Sequence, residues 1–133
     1  MPATVVVVTD STSYLPAGLA ERHGLVVVPL QVVITGRSLA EGVEVTSGQV
    51  AQALLAGQAV TTSRPAPASF ARTYRKLAGD SARSTGIVSV HLSGELSGTV
   101  DAARVAAREV AADGITVEVV DARSMGLGLG FAA

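Results

Sequence analysis

Residues 86–112 read GIVSVHLSGELSGTVDAARVAAREVAA and place a strand, a loop and a helix in direct succession. The run Gly86–Val90 is short, apolar and rich in valine, which is typical of a strand buried on both faces of a sheet. Within Ser97–Ala112, small apolar residues recur at helical spacing and form one stripe of Val100, Ala103, Ala107 and Val110. This stretch therefore predicts a β-strand ending near Val90 and an amphipathic helix over Ser97–Ala112.

The same alternation of strand and helix recurs along the chain. Further valine-rich runs lie at Val5–Val8, Leu25–Ile34 and Val117–Val120, and a short extended piece lies at Val60. Helices are predicted from Pro16 to a cap at Gly24, over Gln49–Ala56 with an N-cap at Thr46 or Ser47 and a stop at Gly57, and near Ala68–Ala78 with a stop at Gly79. Strands that alternate with helices predict an α/β fold whose mostly parallel sheet carries helices on its faces.

Two segments depart from this alternation. The turn sequence Thr35-Gly36-Arg37-Ser38 predicts a short hairpin or irregular excursion within Val32–Leu39. Residues 124–133 read SMGLGLGFAA, which looks like the beginning of a helix. Because domain boundaries normally fall in exposed polar linkers, this apolar ending predicts a fragment, or a chain that has lost a second domain.

Composition and charge exclude several classes of protein. The chain has 133 residues, of which 48% are hydrophobic and 16% charged, so it can bury a core and is not disordered. Ten basic and eleven acidic side chains leave a net charge of -1, which argues against a nucleic-acid partner. With no cysteine and two histidines, no metal-ligand spacing is present. No apolar run approaches the length of a membrane span and the start lacks a secretory signal, so we expect a cytoplasmic protein without membrane insertion.

Hydroxyl side chains follow the predicted strands in four separate loops, at Thr9–Ser13, Thr61–Pro65, His91–Thr99 and Asp121–Ser124. In a parallel sheet these loops meet at the carboxyl edge, where open α/β folds bind ligands. Hydroxyl donors together with the amides of helix starts suit a carboxylate or a phosphate, so an anion-binding pocket is predicted. The alternative for any one of these residues is a structural role, as an N-cap or as a partner of loop amides.

The sequence does not match most enzyme motifs, because the spacing of its candidate residues differs from theirs. The stretch Gly94-Glu95-Leu96-Ser97-Gly98 places its serine one position late for a G-x-S-x-G nucleophile elbow. His91 lies two residues before Ser93, which leaves a Ser/His-dependent hydrolase or phosphotransferase acting on acyl substrates as a second hypothesis. A third hypothesis is a structural fragment without a ligand, in which all the hydroxyls are caps.

Five motifs, taken together and in this order, resemble the DegV family of fatty-acid-binding proteins. They are Thr9-Asp10-Ser11-Thr12, Val28-Pro29-Leu30, Thr62-Ser63-Arg64-Pro65, Ser93-Gly94-Glu95-Leu96-Ser97-Gly98-Thr99 and Asp121-Ala122-Arg123-Ser124-Met125-Gly126-Leu127-Gly128. The resemblance covers essentially the whole chain. It implies that residues 1–133 form a DegV-like N-terminal domain with a three-layer α/β/α sandwich, and that the family's C-terminal domain is absent.

The resemblance also implies a function. It implies a non-enzymatic carrier of a long-chain fatty acid such as palmitate, without cofactor or metal, that presents the acid to a fatty acid kinase. By position, Thr62 and Ser93 are the residues whose hydroxyls would hold the carboxylate. The supporting pocket is predicted to comprise Asp10, Ser11, Thr12, Ser63, Arg64, Ser97, Gly98, Thr99 and Ser124. Arg64 stands where the family often has Gln, which adds a cation near the carboxylate, and Ala122 stands where a serine is frequent.

Overall fold

The structure of the chain is a computed structural model that describes residues 4–80 and 84–133. In chain order the elements are β1 (Thr4–Asp10), a 3₁₀ turn (Ser11–Ser13), α1 (Leu19–Arg22), β2 (Val26–Val28), β3 (Gln31–Ile34), β4 (Arg37–Ala40), α2 (Ser47–Leu55), β5 (Val60–Ser63), α3 (Pro67–Asp80), β6 (Ser84–His91), α4 (Thr99–Ala111), β7 (Val117–Asp121) and α5 (Leu127–Ala132).

A four-stranded sheet in the order β2-β1-β6-β7 forms the centre of the fold, and every pair within it is parallel. Helices cover both of its faces. Ile87 of β6 packs with α3 and α4 in one apolar cluster, whereas Val90 of the same strand packs with Leu129 of α5 in another. Because residues an odd number apart on a strand point to opposite faces, these clusters lie on opposite sides of the sheet. The predicted α/β class with helices on both faces of a parallel sheet is confirmed.

The prediction of one strand over Leu25–Ile34 was wrong in its extent. The run forms two strands in two different sheets, since β2 belongs to the parallel sheet and β3 pairs antiparallel with β4 and β5. Pro29 lies between them and has no N–H to donate to a ladder. The next amide, that of Leu30, donates instead to Ser11 Oγ at 2.9 Å.

The predicted hairpin is confirmed as the β3–β4 pair. Ile34 pairs with Arg37 across a two-residue turn, in which Thr35 has φ 49° and Gly36 has φ 82°. Positive φ at both central residues is what a type I′ turn requires, and glycine adopts it without strain. The extended piece at Val60 is β5, the other neighbour of β3. The prediction that this piece belongs to the parallel sheet was therefore wrong.

The helix boundaries follow local capping chemistry, with some differences from the prediction. Thr46 is the N-cap of α2, because its hydroxyl accepts from the Gln49 amide at 3.2 Å while the Gln49 side chain accepts from the Thr46 amide at 2.8 Å. Gly57 has φ 73° just beyond that helix. The predicted stop of α3 at Gly79 was wrong: this glycine lacks the positive φ of a C-cap, and the helix continues to Asp80.

The starts of α1 and α4 were predicted too early in the sequence. Helix α1 begins at Leu19 rather than at Pro16, and α4 begins at Thr99 rather than at Ser97. The residue preceding α1 is Gly18, whose φ of 81° lies outside the helical region. The interpretation of the last segment as a helix is confirmed by α5.

Candidate functional site

A cavity of about 460 Å³ lies where the loops after β1 and β6 approach β5, and we call it the Thr62 cavity. It brings together six of the residues predicted from sequence: Thr12, Thr62, Ser63, Arg64, Ser97 and Gly98. Its other lining residues are Tyr14, Leu30, Glu41, Leu92, Leu96 and Met125. Hydroxyl residues from three separate stretches of the chain therefore line one hollow, whereas the pattern of loops predicted a meeting of four.

Strand β5 positions Thr62 through its pairing with β3. Thr62 lies opposite Val32, a core residue, and its own side chain is exposed. Arg64 follows directly and is exposed, whereas Pro65 is buried and ends the strand's pairing. Thr62, within edge strand β5, and Arg64, just after its last residue, therefore line the same cavity.

Arg64 lies against the start of α4. A β-carbon added to Gly98 would come within 2.9 Å of Arg64 Cδ, so the arginine side chain occupies the space that a larger residue at position 98 would fill. Gly98 is the N-cap of this 13-residue helix and provides no side-chain cap. The free amides of a helix N-terminus carry partial positive charge, and here a full positive charge lies beside them. Two positive groups side by side favour an anion between them.

Ser93 lies elsewhere. It is buried and lines a second hollow of about 360 Å³ together with Glu95, Asp121 and Arg123. Its hydroxyl oxygen accepts from the Glu95 amide at 3.3 Å. The structure thus does not place the hydroxyls of Thr62 and Ser93 in one cavity, although both residues belong to the same edge of the fold.

The other predicted pocket residues have structural partners. Thr99 is buried, and both its hydroxyl (2.8 Å) and its amide (3.2 Å) bond Ser97 Oγ, as expected of capping residues. Ser11 accepts from the Leu30 amide and lines a different hollow. The Ser124 carbonyl accepts from the Ser93 amide at 3.0 Å. These residues shape the loops rather than line the Thr62 cavity.

The carboxylate of Asp121 binds loop amides, which is the structural role expected of it if it does not bind a ligand. It accepts from the Arg123 amide at 2.9 Å and from the Gly94 amide at 3.2 Å. The bond from Arg123, the bond from Gly94 and the nearby charges of Arg104 and Arg123 hold the pKa of this carboxyl below its usual value. The negative charge therefore stabilises the two loops on either side of the Ser93 hollow.

Tyr14 and Glu41 are cavity residues that the sequence patterns did not indicate. Glu41 follows β4, and its amide donates to the Leu30 carbonyl at 2.9 Å, which brings it beside the loop after β1. Burial raises the pKa of the Tyr14 phenol, and the charge of Glu41 raises it further. The only sequence feature that could have indicated these two residues was the predicted hairpin, which returns the chain along β3 and leads to Glu41.

The geometry gives no support to the Ser/His hydrolase hypothesis. His91 is fully buried, with Nδ1 at 2.9 Å from Asp10 Oδ2 and Nε2 at 2.6 Å from Ser89 Oγ. Both ring nitrogens are therefore occupied by residues other than Ser93. Within the described part of the chain, Ser93 has no imidazole that could act as its general base.

Residues 4–80 and 84–133 contain neither a metal-ion cluster nor a membrane-spanning helix. Over these residues, no group of three or more His, Asp or Glu side chains could hold a metal ion. No helix among them is both long enough and apolar enough to span a bilayer.

Comparisons with known proteins give a consistent match. A family model described as an uncharacterised protein of the DegV family matches residues 4–133. A DegV domain-containing protein of Streptomyces coelicolor is 53% identical over 133 residues, which cover 100% of this chain and 46% of the relative. One from Deinococcus radiodurans is 39% identical over 128 residues, or 96% of this chain and 43% of the relative.

Solved structures agree with the sequence relatives. A DegV family protein from Thermus thermophilus, described for its fatty acid binding, is 41% identical with a TM-score of 0.84 and covers 96% of this chain and 44% of that one. DegV from Bacillus subtilis, described as a fatty acid binding protein, is 31% identical with a TM-score of 0.89 and covers 99% and 45%. The chain thus spans less than half the length of these relatives.

Proposed function

The chain belongs to the DegV family, and on that premise we propose that it is the N-terminal domain of a carrier that binds a long-chain fatty acid, with the acid's carboxylate in the Thr62 cavity. The observation that carries this proposal is the placement of the Arg64 side chain against Gly98, at the start of α4, on the same hollow as the Thr62 hydroxyl. The relatives' described fatty acid binding supports the choice of ligand.

A carboxylate suits the electrostatics on the Arg64 side of this hollow, away from the Glu41 carboxyl that also lines it. Moving an ionised carboxyl out of water is costly unless donors replace its hydration. Thr62 offers one hydroxyl donor, Arg64 offers a guanidinium, and the positive end of the α4 dipole begins at Gly98 on the same cavity. Charge-assisted hydrogen bonds of this kind are roughly twice as strong as neutral ones.

The rim of the cavity suits an acyl chain. Leu96, Met125 and Tyr14 line the cavity, and more than half of each side chain is exposed, at 63%, 56% and 54%. Large exposed apolar residues around a polar hollow are typical of a ligand site. Each methylene that leaves water contributes about 0.8 kcal/mol, so an acyl chain that covers these residues supplies most of the binding free energy.

Our proposal assigns direct contacts with the carboxylate to Thr62 and Arg64. Ser93, the second hydroxyl that the family resemblance implies, stays a candidate and is tested separately because it lines the neighbouring hollow. We further propose that the carrier is not itself an enzyme, that it is cytoplasmic, and that it presents the bound acid to a fatty acid kinase.

The test measures palmitate binding to the purified protein by isothermal titration, with native mass spectrometry to detect any co-purified acid. The variants are Thr62→Ala, Ser93→Ala and, as a matched control, Thr61→Ala, an exposed neighbour on β5 that does not line the cavity. Loss of a hydrogen bond to a charged group should weaken binding by roughly tenfold or more in Thr62→Ala and leave Thr61→Ala unchanged. Absence of palmitate binding in the wild type, or equal affinities in all variants, would contradict the proposal.

A further inference from the structure

A chain of hydrogen-bonded side chains runs from the apolar core to the rim of the Thr62 cavity, in the order Tyr74, Ser89, His91, Asp10 and Thr12. Tyr74 Oη lies 2.7 Å from Ser89 Oγ, which lies 2.6 Å from His91 Nε2. His91 Nδ1 lies 2.9 Å from Asp10 Oδ2, and Asp10 Oδ1 binds both the amide (2.9 Å) and the hydroxyl of Thr12. The first four side chains are completely buried, and Thr12 is 7% exposed.

The proton directions at the Asp10 end of this chain follow from the chemistry of the carboxylate. An aspartate carboxylate only accepts hydrogen bonds, so His91 donates to it through Nδ1–H, and Thr12 donates to it through its amide and its hydroxyl. At the other end, Ser89 Oγ accepts from the Tyr74 hydroxyl and lies within hydrogen-bond distance of His91 Nε2.

Asp10 also joins two loops that line the Thr62 cavity. It accepts from Thr12, in the turn after β1, and from the Leu92 amide at 3.2 Å, just beyond the end of β6. Thr12 and Leu92 both line the cavity, whereas Asp10 and His91 do not. Hydrogen bonds to these two neighbours therefore connect the buried pair to the cavity.

We propose that Asp10 and His91 are positioning residues that fix Thr12 as a hydrogen-bond acceptor at the rim of the Thr62 cavity. The Thr12 hydroxyl proton points to Asp10, so Thr12, which lines the hollow, has only the lone pairs of Oγ left for another partner. An ionised carboxylate has no proton to donate to those lone pairs. A bound carboxylate is therefore directed away from Thr12 and towards the donors of Thr62 and Arg64. This orientation rests on the proposed function, because it assumes that a carboxylate binds in the cavity.

Two substitutions at position 91 separate positioning from general stability. In His91→Asn, the side-chain amide nitrogen replaces Nδ1 and still donates to Asp10, but the bond to Ser89 is lost. In His91→Gln, the side chain reaches the position of Nε2 and meets Ser89, but Asp10 loses its ring donor. Each variant removes one of the two hydrogen bonds that the His91 ring makes in the buried chain, so both should lose stability to a similar degree.

The measurements are hydrogen exchange of the Thr12 amide in the ligand-free protein and the Kd for palmitate. We expect His91→Gln to speed that exchange and to weaken palmitate binding by about fivefold or more, or about 1 kcal/mol relative to wild type. His91→Asn should stay within about twofold of wild type. Equal exchange and equal affinity in the two variants would overturn the positioning role. If wild type binds no palmitate, the proposed function fails, and Thr12 exchange alone still decides this inference.

Should the position 91 variants fail to fold, Thr12→Val tests the same idea at the rim. Valine keeps the shape of threonine and removes the hydroxyl oxygen together with its lone pairs. We expect tighter palmitate binding in this variant, because a repulsive contact with the carboxylate is gone. Weaker binding would show that Thr12 donates to the ligand, which contradicts the proposed proton direction.

Discussion

Gly98 lies so close to Arg64 that a β-carbon on the glycine would stand 2.9 Å from Arg64 Cδ. The glycine is not required for its backbone conformation, since its φ of -79° suits any residue. It is required for space. Because position 98 carries no side chain, the cation of Arg64 can lie at the N-terminus of α4. Gly98 therefore contributes to the electrostatics of the cavity by leaving space for Arg64.

Gly98→Ala should displace Arg64 without unfolding the protein. The added methyl group and the arginine cannot occupy the same volume, so the guanidinium must move away from the helix start. We expect palmitate affinity to fall by roughly tenfold, the value of a lost charge-assisted contact. Gly48→Ala is the matched control, because its β-carbon would meet its nearest atom at an ordinary 3.9 Å. Equal palmitate affinities of the two variants in isothermal titration would rule out this role for Gly98.

Arg64→Gln should weaken palmitate binding and remove most of its dependence on salt. Arg64 is exposed, so its attraction for a carboxylate is screened as ionic strength rises. The wild-type Kd should therefore increase between low and high sodium chloride, whereas that of the variant should stay nearly constant. Arg37→Gln, which removes an exposed arginine outside the cavity, should behave like wild type. A salt dependence that Arg64→Gln leaves intact would mean that another charge attracts the ligand.

Thr9→Val should stabilise the fold. Thr9 is completely buried, and its hydroxyl has no hydrogen-bond partner among the described residues. Valine has nearly the same shape and no polar atom, so the cost of burying an unpaired hydroxyl disappears, a gain of about 1 kcal/mol in the free energy of unfolding. Thr99→Val is the control: that hydroxyl is equally buried but bonded to Ser97, so its loss should destabilise. Urea denaturation distinguishes them, and a destabilised Thr9→Val would mean that the hydroxyl has a partner.

Local patterns in the sequence were sufficient for much of the fold. Runs such as Val117–Val120 and the stripe in Ser97–Ala112 encode strands and helices within a few residues, and capping chemistry at Thr46 encodes a helix start. The pairing of β5 with β3 joins residues about thirty positions apart, and no local pattern distinguishes it from a place in the parallel sheet. That is why the extended piece at Val60 was assigned to the wrong sheet.

The candidate site was only partly predictable for a related reason. Motif order placed Thr62, Arg64 and Ser97 in one pocket, and the structure brings them together. Motifs do not give the direction of a side chain, so they could not show that Ser93 lines a separate hollow. The buried contact of His91 with Asp10 depends on the register of two neighbouring strands, and the residues are 81 positions apart in the chain.

Tyr74 should make the stability of the protein fall with pH in the alkaline range. Burial raises the pKa of the Tyr74 phenol from 10.0 to about 12, and the bond to Ser89 opposes this only in part. Since the pKa is higher in the folded state than in the unfolded state, the contribution is fully present below pH 10. It decreases as the pH rises towards 12, by about 1.4 kcal/mol per pH unit and by roughly 2–3 kcal/mol in all.

Tyr74→Phe isolates this contribution, because every other titrating group is common to the two proteins. The measurement is the free energy of unfolding in urea from pH 8 to about pH 11.5, just below the raised pKa. This free energy should fall more steeply with pH in the wild type than in the variant. The free energy of unfolding of the wild type minus that of the variant should be constant below pH 10 and decrease above it. A difference that stays constant throughout would mean that the Tyr74 phenol ionises as readily in the folded protein as in the unfolded chain, which its complete burial beside Phe70 argues against.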